Sequence, residues 1–289
     1  ARPQARHHRG EPMTTAARPT EADERLHRVL GEDTRPAQRP GALSTSLTLG
    51  WRALVKIKRS PGQMFNATLT PVMFTLIFTY LFGGAISGSS REYLQFLLPG
   101  ILVQGVLFIS TQTGVALTTD LQQGIFDRFK SMPIWRPSPL TGALIGDVVR
   151  YLISSAVVVA VGLALGFRPD GGVLGVTGGV LLAVLFGFCV SWIWTFLGLV
   201  LRTPQAVSAL GMLLLSLLTF ASNIFAEPTT MPGWLKAFVD INPIGYVVTA
   251  SRSLMSGDGA ADLGPALISC AVLLVVFVPL SLLRYNKSE

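Results

Sequence analysis

VLGVTGGVLLAVLFGFCVSWIWTFLGLVL, residues 173–201, carries no charged side chain from end to end. A helix needs about 20 consecutive apolar residues to cross a bilayer. In hydrocarbon only helices and closed barrels satisfy their own backbone groups. Hydropathy along this stretch is continuous rather than alternating, which excludes a barrel strand. The stretch therefore reads as a membrane-spanning helix.

Working outward, five more blocks of the same kind appear. Toward the N-terminus lie Phe65–Phe82, Phe96–Leu117 and Leu140–Phe167; toward the C-terminus lie Ala206–Phe225 and Leu263–Leu283. Half of the 289 residues are hydrophobic and only 13% are charged, about half the share usual in globular domains. A soluble fold of this length could not hide so much apolar surface. The fold class expected is an all-α polytopic membrane protein with six transmembrane helices.

Charge sets the orientation. The chain carries +7 overall, and residues 1–59 hold twelve Arg and Lys against six Asp and Glu. With that tail in the cytoplasm, the inner side also collects Arg128, Lys130, Arg136, Arg150, Arg202, Arg284 and Lys287. The outer side keeps only Arg91, Arg168, Lys236 and Arg252. The excess of inner cations places both termini in the cytoplasm. Residues 1–42, rich in Pro and Arg, have too few large apolar side chains for a core and are expected to be disordered. They contain no apolar stretch of the secretory kind. A basic tail beside a membrane core answers to topology and anionic lipid; without a recognition fold, no nucleic-acid partner is expected. In the domain organisation that follows, residues 1–42 are a tail and residues 43–289 a transmembrane domain.

Leu43–Lys58 has amphipathic spacing. Leu47, Trp51, Leu54 and Val55 share one face, and Arg52, Lys56 and Arg59 form a stripe on another. Leading into a span, it reads as a helix in the headgroup plane. Two inter-block segments carry more information. In Thr118–Pro139, Leu121, Ile125, Phe129 and Met132 recur every three or four residues, with Gln122, Asp127, Arg128 and Lys130 around them. Thr118 or Thr119 can cap a helix there, and Pro133 ends it. This cytoplasmic helix is either interfacial or a docking element for a partner, with apolar anchors and a charged rim. The outer segment Ala226–Asp262 is apolar yet broken by Pro228, Pro232 and Pro243. It reads as two short re-entrant helices, Trp234–Ile241 and Pro243–Met255, covered by protein or lining a cavity.

Few polar groups lie inside the blocks. Asp147 and Arg150 stand three apart, on one helix face. Two readings stand for them, a structural ion pair or a part in the gate or in transmission. Trp192 and Trp194 are an aromatic belt or the lining of an apolar path. Gly142 with Gly146, Gly162 with Gly166, and Ala183 with Gly187 mark places of close helix approach. Cys189 and Cys270 are two small buried side chains. His7, His8 and His27 all lie in the tail, and no metal-ligand spacing exists. No nucleophile or paired acids lie at depth, so neither a catalytic residue nor a cofactor is expected on this chain.

The stretch from the fifth block through the outer loop resembles the ABC-2 type permeases, in particular the daunorubicin-resistance kind of drug-export permease. The resemblance is carried by spaced positions Leu215, Leu218, Ala221, Ser222 and Ile224. A Met-Pro step follows at Met231 and Pro232, then Pro243, Ile244, Tyr246 and Arg252. Asp120–Pro169 is similar to that family's cytoplasmic loop and third span, and the likeness covers about residues 43–289. It implies the membrane half of an ATP-driven exporter in the bacterial cytoplasmic (inner) membrane. Two permease chains would form a homodimer, and each would bind a separate ABC ATPase subunit that holds ATP and Mg. The helix with Leu121, Ile125, Asp127, Arg128, Phe129 and Met132 would couple the two subunits. The helix with Trp51, Arg52 and Lys56 would flank that contact in membrane lipid, and the re-entrant pair would close the outer exit. No G-x-x-x-x-G-K-[ST] phosphate loop occurs in the chain, so the ATPase must be a separate subunit. The substrate implied is a hydrophobic small molecule such as an antibiotic, with a lipid or lipid-linked glycan as the alternative. The absence of an Asp, Glu or His chain across the membrane argues against an ion-coupled transporter.

Overall fold

The structure, a computed structural model, describes residues 61–124, 138–226, 231–259 and 262–287. The tail, the segment with Trp51, Arg52 and Lys56, and residues Ile125, Asp127, Arg128, Phe129 and Met132 lie outside them. Eight helices and no strand form among the described residues. They are α1 (Pro61–Ser87), α2 (Ser90–Gln122), α3 (Ser138–Leu165), α4 (Gly172–Leu201), α5 (Pro204–Phe220), α6 (Gly233–Ile241), α7 (Pro243–Ser256) and α8 (Leu263–Lys287). Five of them, α1, α2, α3, α4 and α8, are long and apolar enough to cross a membrane. Helix α5 is apolar but has 17 residues, about 25 Å against about 30 Å of hydrocarbon.

Helix α2 is the axis of the bundle and packs on α1, α3, α4, α5 and α7. Tyr93, Leu94, Leu97, Leu98 and Ile101 are fully buried, and burial reaches every side of the helix, as in a core helix. The perimeter is apolar too: Leu69, Met73 and Ile77 of α1, Leu152 and Val157 of α3, and Val272 and Val275 of α8 are exposed. That is a surface a bilayer accepts. Against α4, α2 comes close enough to need glycine. A Cβ on Gly114 would lie 2.5 Å from the Trp194 carbonyl oxygen, a distance side chains do not tolerate.

Local chemistry explains the element ends. Ser89 accepts the Glu92 N–H (3.1 Å) and caps α2, with an acid in the first turn. Gly166 adopts φ +104 just beyond α3, and the Phe167 N–H reaches the Gly162 carbonyl at 2.8 Å. This is a left-handed glycine stop, so Gly166 terminates the helix rather than admitting a neighbour. Gln95 ties that turn to α2: its Nε2 donates to the Gly166 carbonyl (3.3 Å), and its Oε1 accepts from Arg168 N–H (3.1 Å).

Three sequence expectations are corrected here. Thr118 and Thr119 cap nothing. They lie inside α2 and donate back to the carbonyls of Gly114 (2.7 Å) and Val115 (2.8 Å), which lets the helix run on through Leu121. The block Ala206–Phe225 is not helical throughout, because α5 stops at Phe220. Trp192 and Trp194 are buried, not a lipid-facing belt. Trp194 Nε1 donates to Ser110 Oγ at 3.0 Å, making it a joint between α4 and α2.

Candidate functional site: a clamped helix break and a buried ion pair

Helix α5 ends where Ala221 turns to ψ 48, and residues 221–226 continue without helical structure. Ser222, Asn223 and Ile224 are nevertheless buried. Non-helical backbone in such a place must find partners for its polar groups, and side chains from three directions supply them. Asn242 Nδ2 donates to the carbonyls of Leu218 (2.8 Å) and Ala221 (2.9 Å). Tyr93 of α2 donates its hydroxyl to the Phe225 carbonyl (2.9 Å). Arg252 of α7 donates through Nη2 to the Asn223 carbonyl (3.1 Å) and through Nε to the Phe96 carbonyl (3.1 Å). Its guanidinium lies 3.8 Å from the centre of the Phe96 ring, a cation–π contact. Asn223 turns its own Nδ2 to Thr249 Oγ1 (2.7 Å). Phe225 stacks on Phe78 of α1 with centroids 4.5 Å apart.

The clamp is placed by the helices that follow. Met231 and Pro232 lead into α6 and Pro243 opens α7. Asn242, between the two, also accepts the Ile244 N–H (3.0 Å) with Oδ1 and so caps α7. Tyr246 donates its hydroxyl to the Asp240 carbonyl and fixes the α6–α7 elbow. Of the residues singled out in the outer motif, the structure brings Arg252 to the break. It keeps Pro243 and Tyr246 at the elbow, and Met231 and Pro232 before the start of α6. Sequence reading missed Asn242, Asn223, Tyr93 and Phe96. One signal was available, since Asn followed by Pro is a turn and helix-start pair.

A second polar cluster lies between α2, α3 and α4, toward the Gln122 end. Asp147 is buried; it accepts from Thr113 of α2 and pairs with Arg150 on its own helix. One turn on, the Tyr151 and Ser191 hydroxyls meet at 2.6 Å, joining α3 to α4. Gln122 Nε2 donates to the Arg202 carbonyl (3.0 Å). Leu121 stands in the last turn of α2, and sixteen residues (122–137) separate it from the start of α3 at Ser138. Among the described residues no group of His, Cys, Asp or Glu could hold a metal ion. The free thiols Cys189 and Cys270 are buried.

A bundle of long apolar helices, with an apolar perimeter and a broken helix clamped at one end, defines a polytopic membrane protein. Comparison with known proteins gives the family. The model of the ABC-2 type transporter family matches residues 46–256, and the chain belongs to that family. It is 48% identical over 265 residues to the daunorubicin resistance ABC transporter permease protein DrrB1 of Streptomyces coeruleorubidus, covering 91% of this chain and 93% of that one. It is 30% identical over 205 residues to the doxorubicin resistance ABC transporter permease protein DrrB of Mycobacterium tuberculosis, covering 68% and 71%. To the inner membrane transport permease YadH of Escherichia coli it is 25% identical over 201 residues, covering 66% and 76%. The chain is thus a membrane-embedded transport permease.

Proposed function

We propose that this permease exports hydrophobic small molecules of the anthracycline kind, driven by ATP hydrolysed on a separate ABC ATPase subunit. The observation that carries the proposal is the 48% identity to a daunorubicin resistance permease across nine-tenths of both chains. Six spans, two copies per transporter and an inner-membrane location with cytoplasmic termini belong to the same reading. Counting α5 as the fifth span is supported by its continuation 221–226, buried at 222–224, which lengthens the apolar path beyond its 17 residues.

Within this reading the Ser90 end of α2 faces outward. The re-entrant pair α6–α7 closes the exit, with Arg252 and Asn242 holding the helix break beneath it. The Gln122 end faces the ATPase. Motion of the segment with Leu121, Ile125, Asp127, Arg128, Phe129 and Met132 reaches α3 directly, since that helix starts at Ser138. It reaches α2 through the Asp147–Thr113 contact. The lead-in helix with Trp51, Arg52 and Lys56 steadies the contact in the headgroup plane.

The test is ATP-dependent accumulation of daunorubicin in inverted membrane vesicles that hold this permease and its ATPase. The control lacks the ATPase's phosphate-loop lysine. Accumulation that needs both chains and the lysine is the expected result. Co-purification without accumulation would move the substrate to a lipid or lipid-linked glycan. Accumulation abolished by a proton uncoupler while ATP is maintained would replace the ATPase by an ion gradient.

A further inference from the structure

Helix α2 carries four glutamines, Gln95, Gln104, Gln112 and Gln122, and two of them meet opposite fates. Gln95 has both amide atoms engaged by the turn after α3. Gln104, near the midpoint of the helix and 2% exposed, has neither: its Nε2 and Oε1 are both buried without a hydrogen-bond partner. Among the described residues it is the one side chain with two polar atoms orphaned; the hydroxyls of Thr79, Ser155, Thr195 and Ser251 are single-atom orphans. Ser110 and Thr219 avoid this state by donating to their own helix, to Leu107 and Leu215. A glutamine amide has no such local acceptor in reach. At mid-membrane depth no solvent relieves it, and a buried orphan of this kind costs free energy in the state described. An orphan kept at such a cost needs an explanation, and functional sites are where such departures collect.

Its surroundings supply one. Gln104 follows Gly100 by one turn, and a Cβ on Gly100 would lie 3.0 Å from Ile224 of the break. It precedes Thr111 by two turns, and Thr111 meets Gly211 of α5, where a Cβ would lie 3.2 Å from its methyl. Helical periodicity puts all three on the face of α2 that α5 and its continuation cover. The orphan amide is thus shut inside the seam between α2 and the broken helix, at the level where α5 gives way to the clamped segment.

We propose that Gln104 is a substrate-recognition residue, bared when α2 and α5 part, whose amide pairs with carbonyl and hydroxyl groups carried close together on an otherwise apolar skeleton. This rests on the export reading above and deepens it. The closed seam leaves the amide unpartnered, and a substrate that offers both an acceptor and a donor completes it. An apolar molecule of the same size gains nothing there, so the residue selects for polar decoration.

The experiment compares Gln104→Met with Gln95→Met, in vesicles with the ATPase for transport and as purified permease for thermal unfolding. Gln104→Met keeps the volume and removes the orphan. Its melting temperature should equal or exceed that of wild type, while its KM for daunorubicin rises about tenfold, the worth of roughly 1.4 kcal/mol of hydrogen bonding. Gln95→Met should do the reverse, melting lower with KM unchanged. A KM for Gln104→Met within twofold of wild type overturns the assignment, and so does a lowered melting temperature, which would mean the amide is already bonded in the folded protein. If wild type itself transports no daunorubicin, the export reading fails and takes this assignment with it. Transport by wild type with an indifferent Gln104→Met sinks the assignment alone.

Discussion

Replacing Asn242 by alanine should destabilise the permease more than any other single truncation near the outer motif. The side chain makes three hydrogen bonds to main chain: two donated to Leu218 and Ala221, one accepted from Ile244. The residue is buried, so water does not readily replace what is lost. At about 1–1.5 kcal/mol for each buried main-chain group left unpaired, the loss comes to roughly 3–4 kcal/mol. For a chain of this size that lowers the melting temperature by roughly 6–16 °C. The assay is thermal unfolding of purified permease in detergent, followed by tryptophan fluorescence. Asn242→Ser provides an internal scale. Serine still caps α7, worth about 1 kcal/mol, but falls short of the two carbonyls, so it should melt between alanine and wild type. If Asn242→Ala unfolds at the wild-type temperature, the break is held by something other than this clamp. Equal melting of the serine and alanine variants would show that the cap contributes nothing.

The other predictions concern the two ends of α2. Asp147→Ala leaves Arg150 and Thr113 without their shared carboxylate and should cost roughly 3–5 kcal/mol; the double variant Asp147→Leu with Arg150→Met should recover most of it in the same unfolding assay. Recovery of stability without recovery of transport would mark the pair as part of transmission. Gly114→Ala forces a methyl against the Trp194 carbonyl and should lose about 1–3 kcal/mol, whereas alanine at Gly84, with nothing within 4 Å, should be tolerated; equal melting of the two would refute the close α2–α4 contact. Arg252→Lys keeps the charge but gives up the fork that reaches two carbonyls and the stack on Phe96. It should lower stability by about 1–3 kcal/mol, and a silent substitution would show that charge alone matters there.

Much of the architecture is legible from hydropathy because the bilayer makes a simple demand: long continuous apolar runs must be helices. The starts of α6 and α7 are legible too, since Pro232 and the Asn242–Pro243 pair punctuate the chain. The early end of α5 is not. Ile224 and Phe225 continue the apolar run past Phe220, and what stops the helix is a set of side chains from α2, α7 and the α6–α7 junction, far away in sequence. The extension of α2 is hidden for a different reason. A threonine can cap a helix or bond back within one, and only the neighbouring turns decide. The tryptophans on α4 were ambiguous in the same way, since a ring suited to the headgroup level is also suited to a tight joint. The candidate site was half visible. Arg252 was marked by the family resemblance, but its acceptors are carbonyls, which carry no letter in a sequence.

That last point bears on how such a permease can change over generations. Tyr93, Asn242 and Arg252 grip the end of α5 and the non-helical segment after it by the carbonyls of Leu218, Ala221, Asn223 and Phe225, groups every residue type possesses. Substituting the side chains of this stretch therefore leaves these bonds available. Lineages can redecorate this stretch for new cargo while inheriting the same grip, so divergence in substrate range need not begin with damage to the scaffold.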